Sequence, residues 1–445
     1  MAGYDRSVWQ AAIWSIRLRL SYDRNKDLEH AVPSGVADIL VRNARLQGRG
    51  DALADIAISD GVILKVDARV DIDGRSIVDA QGNLVTPSYV NPHLHLCKVW
   101  TLPMMSEAAL EAYHGAGMSE ARRAIDLAAA VKANYDASWI IPNARRAVAL
   151  AALHGNLHIR AFADVDTKAR LQGVKALLAI REEFRGIVDI QVVAFAQDGI
   201  VREPGADVLM REAMAMGADV VGGIPWIEPT TADAQAHIEF CFDLAAEFNA
   251  EISMLLDDVG NAEMKTLEAM ARASLARGFA GRALAHHCRA MALYPKTYLG
   301  ELIELLRRAR ISIVSDPHTG PLHAPVKELL REGVNVCLGQ DDISDAYYPF
   351  GRNNMPEVAF LASHLLWMTK EREIDTLYEM ITARAATAVN LPGYGLEAGC
   401  AANLVVLDHQ DVAEALRFHT PPAAVISHGR LVDAERMREL AKLGR

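Results

Sequence analysis

Cysteine is scarce in this sequence, and the few that occur do not pair. Cys97, Cys241, Cys288, Cys337 and Cys400 form an odd, scattered set with no CxxC spacing. That excludes a disulfide scaffold and leads us to expect a reducing, cytoplasmic setting. No apolar run reaches the ~18 residues that cross a bilayer, so a membrane partner is not expected. Basic residues are outnumbered, 46 Lys and Arg against 57 Asp and Glu, for a net charge of −11. Nucleic acids and anionic membranes are recognised through clustered Lys and Arg, so neither is expected as a partner. There are no low-complexity tracts. A signal peptide carries its positive charge ahead of its apolar stretch, whereas Arg17 and Arg19 follow residues 8–14 here. Residues 1–36 are read as an N-terminal extension. It is either amphipathic and packed on the domain or a second subunit, or a disordered tail added by an upstream start. A homo-oligomer is expected.

What is present is core. Over 445 residues, 51% are hydrophobic and 23% charged, enough for one large domain and a smaller one. Residues 38–44 alternate as a strand, and 56–66 read as a hairpin turning at Asp60-Gly61. Residues 402–408 and 424–432 are strand-like again. The two flanks are expected to meet in a composite β-sandwich, residues 37–85 with 395–445. The middle, residues 86–394, alternates strand and helix patterns. Eight strands are predicted: one ending at His95, then 157–166, 190–198, 219–226, 252–258, 283–288, 311–318 and 334–342. Helical periodicity separates them at 206–216, 232–248, 261–277 and 299–310. The fold class is therefore α/β, a (β/α)8 TIM-like barrel with a small β-sandwich built from both chain ends.

Barrel enzymes place their chemistry at the C-terminal ends of the strands. Nearly every predicted strand ends in a useful side chain. His93 and His95 sit two apart, on one face of a strand, which is how many metal sites begin. Asp341 closes the eighth strand and can ligate a metal or take a proton from a bound water. Asp257 and Asp258, a pair of acids after an apolar run, read as a turn and helix cap. His318 and Trp226 lie at the ends of the seventh and fourth strands. His318 is a candidate substrate contact and Trp226 a candidate ring-stacking wall.

These residues also carry a resemblance. The segments 93–96, 193–199, 217–225 and 335–342, His287 with Ala290-Met291, and 345–349 resemble the amidohydrolase superfamily. The likeness is to its cytosine deaminase-like branch, which includes enzymes acting on s-triazines. It covers roughly residues 37–432. It implies one divalent metal, zinc or iron first and manganese or cobalt next. It implies His93, His95 and Asp341 as ligands and His287 as the sixth-strand histidine beside water and substrate. It further implies Gln197 reading a ring amide and Tyr347 as an aromatic wall. The expected activity is attack by metal-activated water on a C–N bond of a small N-heterocycle or cyclic amide.

The sequence departs from that pattern in three places. The fifth-strand ligand is Leu255, the proton shuttle is Asp258 rather than Glu, and Cys97 replaces an acid. Three arrangements follow. His287 completes the ligand set with His93, His95 and Asp341; or Asp257, Asp258, His318 or Cys97 fills the gap; or the metal is lost. In the last case the pocket is a non-metal lyase, an isomerase or a small-molecule binder.

Overall fold

A computed structural model describes residues 35–105 and 129–442. Most of the N-terminal extension, residues 106–128 and residues 443–445 lie outside that description.

The first part of the chain is β-structure. It runs β1 (Val36–Leu46), β2 (Leu53–Ser59), β3 (Val62–Asp67), β4 (Asp73–Asp79) and β5 (Leu84–Pro87). Asp60 and Gly61 both have positive φ, 50° and 78°. A two-residue turn of that kind matches the right-handed twist of its flanking strands, as the Asp-Gly pair predicts. β1 is long enough to serve two neighbours on one edge. Its first half pairs in parallel with β4 and its last residues with β5, while β2 takes the other edge. β14 (Leu404–Val406), β15 (Ala424–Ser427) and β16 (Arg430–Leu431) extend the same sheet beyond β5. The two ends of the chain thus share one eight-stranded sheet, with Val41, Ile56, Val85, Leu404 and Ile426 among its core residues.

The middle is a parallel barrel of eight strands in sequential order. They are β6 (Tyr89–Leu94), β7 (Asn156–Asp164), β8 (Asp189–Phe195), β9 (Val220–Gly223), β10 (Glu251–Leu256), β11 (Ala283–His287), β12 (Ser312–Ser315) and β13 (Val336–Leu338). A bridge between Leu94 and Asp341 joins the last strand's end to the first. The outer helices follow from spacing. In Lys296–Ala309 the buried residues are Leu299, Leu302, Ile303, Leu306 and Ala309, one stripe of a 3.6-residue repeat. Thr230 caps Thr231–Phe248 by accepting from Asp233 N, and Asn249 ends that helix at φ 50°.

Inside the barrel, alternate residues face inward. At the bottom, Arg160 is 1% exposed and reaches Glu251 at 2.6 Å, Gln191 at 3.0 Å and Ser253 at 3.1 Å. Above it Phe162, Val193, Phe195 and Leu255 form an apolar layer with Trp226. The imidazoles rest on this layer. Phe162 lies 4.5 Å from the His93 ring and 5.2 Å from that of His286, centroid to centroid.

The predicted strands ran two to four residues too long at several C-terminal ends. β8 stops at Phe195, β10 at Leu256, β12 at Ser315 and β13 at Leu338. The polar residues that marked those ends sit in the loops just beyond. The predicted helix at 261–277 is shorter, Thr266–Ala276. Its start is fixed by Asp257. That carboxylate accepts from Thr266 N and Thr266 Oγ1 at 2.6 Å each, from Leu267 N at 3.2 Å and from Tyr294 OH at 2.7 Å. Asp257 is therefore a cap, as its position suggested. Asp257→Ala strands these donors in the core and is expected to cost about 2–4 kcal/mol of unfolding free energy. Urea denaturation measures the loss. A change under ~1 kcal/mol contradicts the capping role.

Candidate active site

The barrel mouth gathers His93, His95, His286, His287, Asp316 and Asp341, each 4% exposed or less. His93 Nε2 and His95 Nε2 face each other at 3.2 Å. Asp341 Oδ1 lies 3.4 Å from the first and 3.7 Å from the second. Three buried electron-pair donors thus converge on one point, an arrangement that repels itself unless a cation or proton lies between them. Burial, then the Lys98 charge and the neighbouring imidazoles, hold His95 well below the ordinary histidine pKa. It is a neutral ring, as a metal ligand must be.

His287 faces the same point. Its Nε2 is 3.9 Å from Asp341 Oδ1 and 4.0 Å from Asp258 Oδ2, and its Nδ1 is 3.3 Å from Asp316 Oδ2. The same Asp316 oxygen lies 3.4 Å from His93 Nδ1. These contacts are long for hydrogen bonds, but they place one carboxylate behind two rings. A carboxylate there favours the Nδ1–H tautomer of each and leaves both Nε2 atoms free toward Asp341. Burial works against a charge on His287. In the absence of a metal, Asp258, Asp341 and Asp316 outweigh it and raise its pKa to about 9, so an ion held by His287 would displace a proton. A second set of potential ligands, His93, His287 and Asp316, shares these rings. It uses the Nδ1 side.

The backbone is bent to reach this geometry. His287 and Asp341 both have φ 64°, and Cys288 has φ 51°. Left-handed conformations cost non-glycine residues roughly 1–2 kcal/mol. Gly339 supplies the close approach of β13: a Cβ there would collide with Asp316 Oδ1 and with His93 Cβ.

The structure decides between several of the sequence readings. Leu255 is 3% exposed and belongs to the apolar layer with Trp226 and Phe162. Trp226, also 3% exposed, is packed in that layer, so its indole backs the wall instead of offering an open stacking face. Cys97 does not fill the ligand gap. Its sulfur accepts from Asp164 N at 3.3 Å and touches Tyr135 OH at 3.6 Å. Burial, then Asp164, push its thiol up to about 12, so it is a core residue and not a reactive thiolate. Asp257 is spent on its helix. His318 Nε2 is held by the Gln340 carbonyl at 3.0 Å, and its ring packs edge-on against Tyr348. Asp258 remains at the site, with Oδ1 3.2 Å from Arg289 Nε. Its Oδ2 lies 4.0 Å from His287 Nε2.

Gln197 is placed by a residue the sequence reading passed over. Lys98 Nζ donates to Gln197 Oε1 at 2.8 Å and lies 4.6 Å from the centre of the Tyr347 ring. Burial opposes the Lys98 charge, and Asp164, Asp342 and Asp345 overcome it, so the ammonium is held. With its oxygen engaged, Gln197 is left to offer its NH2 group. Asp316, His286 and Lys98 were all missed. Asp316 follows an apolar run and precedes Pro317, the same signal that marked Asp341. Lys98 lies three residues after His95.

Residues 76–433 match the model of the amidohydrolase family.

The chain belongs to the amidohydrolase family.

Within that family it is 30% identical over 413 residues to N-isopropylammelide isopropyl amidohydrolase of Pseudomonas sp. (strain ADP). The alignment covers 89% of this chain and 97% of the relative. It is 25% identical over 406 residues to a pterin deaminase of Rhizobium rhizogenes, covering 85% of this chain and 88% of the other. The solved structure of 5-methylcytosine deaminase from Klebsiella pneumoniae, liganded with phosphonocytosine, superposes with a TM-score of 0.81 at 30% identity. That match spans 88% of this chain and 97% of the deaminase. This amidohydrolase therefore falls in the cytosine deaminase-like branch, a group of hydrolases acting on non-peptide C–N bonds. Among its described residues, no helix is long and apolar enough to cross a membrane.

Proposed function

We propose that this amidohydrolase is metal-dependent and cleaves a C–N bond of a small N-heterocycle or cyclic amide, releasing ammonia or an amine. One observation carries the reading: the convergence of His93 Nε2, His95 Nε2 and Asp341 Oδ1, with His287 Nε2 facing the same point. His93, His95, His287 and Asp341 would hold the ion. Three imidazoles and one carboxylate suit zinc or iron first, manganese or cobalt next. Such an ion supplies an acidified water and Lewis-acid polarisation.

The chain's own residues do the rest. Asp258, with its Oδ1 3.2 Å from Arg289 Nε, would carry a proton from the attacking water to the departing nitrogen. Gln197 presents its amide hydrogens to a ring oxygen or ring nitrogen, because Lys98 occupies its own oxygen. Tyr347, beside Lys98, is the aromatic wall nearest Gln197; Trp226 supports it from the apolar layer beneath, and His318 stands on the loop after β12. Losing the Gln197 contact leaves the substrate polar edge unpaired. Gln197→Leu is expected to raise KM about tenfold while metal content stays at the wild-type level. Unchanged KM would remove Gln197 from the substrate contacts.

The direct test is elemental analysis of the purified protein, then a screen for ammonia or amine release. Aminated pyrimidines, triazines, pterins and imidazolones are the compounds to screen. Full turnover after exhaustive chelation overturns metal dependence; no release from any of these rings overturns the substrate class. Leu255 favours a second reading, a metal-poor relative acting as a non-metal lyase, isomerase or binder. We also propose a cytoplasmic homo-oligomer. The five unpaired thiols, four of them buried, are in keeping with a reducing compartment.

A further inference from the structure

The closing seam of the barrel, where β13 meets β6, is also where two of the ligands stand. Main-chain pairing there is sparse. β13 ends at Leu338, three residues before Asp341. Pro92 in β6 has no N–H to give a ladder. Two main-chain bonds cross at the top: Asp341 N to His93 O at 2.9 Å and His95 N to Asp341 O at 2.8 Å. Just below, a side chain replaces the ladder. Asn91 Oδ1 accepts from His93 N at 3.2 Å and from Gln340 N at 3.1 Å, one oxygen bridging both strands.

That oxygen is aimed by a buried amide cluster. Asn91 Nδ2 donates to Asn353 Oδ1 at 3.0 Å, and Asn156 Nδ2 donates to the same oxygen at 2.8 Å. Asn353 is held in turn, its N donating to Gln340 Oε1 at 3.2 Å and its Nδ2 to Ala147 O at 3.2 Å. Asn91, Asn156 and Asn353 are fully buried, and Gln340 is 3% exposed. Both side-chain polar atoms of Asn91 and of Asn353 are paired, and buried amides so paired admit one arrangement. The residues that receive Asn91's oxygen are His93 itself and the immediate neighbour of Asp341.

We propose that Asn91, aimed by Asn353, is a positioning residue that sets the spacing of His93 and Asp341 and so the affinity of the metal site. The inference rests on the metal reading above. Asn91 touches neither metal nor substrate. It acts through the two main-chain N–H groups beside the ligands, as outer partners of metal ligands do elsewhere.

Asn156 provides an internal control. It is equally buried and bonds the same Asn353 oxygen, but it does not cross the seam. The experiment measures zinc affinity by chelator competition for wild type, Asn91→Leu and Asn156→Ala, with the melting temperature of each metal-free protein. Asn91→Ser takes the place of Asn91→Leu if the leucine variant does not fold, since its short hydroxyl cannot span the seam. The expected result is an affinity lower by about tenfold or more for the Asn91 variant. Asn156→Ala is expected to lower the melting temperature and leave affinity unchanged. Equal losses of affinity in both variants, or no loss in the Asn91 variant, overturn the positioning role. A wild-type protein that binds none of zinc, iron, manganese and cobalt overturns the metal reading and this inference together, so the two failures are distinct.

Discussion

His93→Ala is expected to empty the metal site and to end turnover. His93 faces both halves of the cluster and belongs to both sets of potential ligands. Its Nε2 meets His95 and Asp341, and its Nδ1 meets His286 and Asp316. Truncation removes a ligand and leaves two buried carboxylates short of a partner. We expect metal content below a tenth of wild type. The accompanying fall in kcat/KM is at least about a thousandfold, or about 4 kcal/mol of transition-state stabilisation. Elemental analysis and the rate of ammonia release, taken on the same preparation, measure both. A variant that keeps its metal and its rate would sink the site as drawn.

Leu255→His is the second large effect, and its direction separates the two functional readings. Leu255 sits one strand from His286, paired with it in register, and packs under the ligand cluster with Phe162. An imidazole there adds a fourth nitrogen to the set. If the remaining residues form a working but under-liganded site, metal affinity should rise at least about tenfold, while the metal-free protein loses about 1–3 kcal/mol for an imidazole placed among apolar side chains. Chelator competition and urea unfolding give the two numbers. Tight metal binding in the native protein, unaltered by the substitution, refutes the metal-poor reading. It also means that His287 already completes the shell.

Much of the fold was legible because fully buried parallel strands read as short apolar runs, and Ile252 to Leu256 or Ala283 to His287 could hardly be anything else. Strand ends were not. Gln197 and Asp342 read as continuations because no local signal distinguishes a residue within the ladder from one just past it. In the site, His93, His95 and Asp341 stood out by type and spacing. Lys98 and Asn91 did not, because their meaning lies in partners 99 and 249 residues away, Gln197 and Gln340. Side-chain pairs at that separation leave no periodicity in the chain. Cys97 misled for the opposite reason. It lies two residues after a presumed ligand, but the turn after His95 carries its sulfur to Asp164 N.

The sheet shared by the two chain ends has a consequence for how the molecule is made. β5 pairs with β14 across Val85 and Val406, so the first strands synthesised wait for the last. During all of barrel synthesis the edge of β5 and the apolar face beneath it lack their final cover. Contacts of such long sequence separation form slowly and leave strand edges open to other chains. The barrel is able to assemble strand by strand as it emerges, whereas the terminal sheet closes only after residues 404–431 are free. Pairing of β14 with β5, and not closure of the barrel, is then the step that covers the β5 edge.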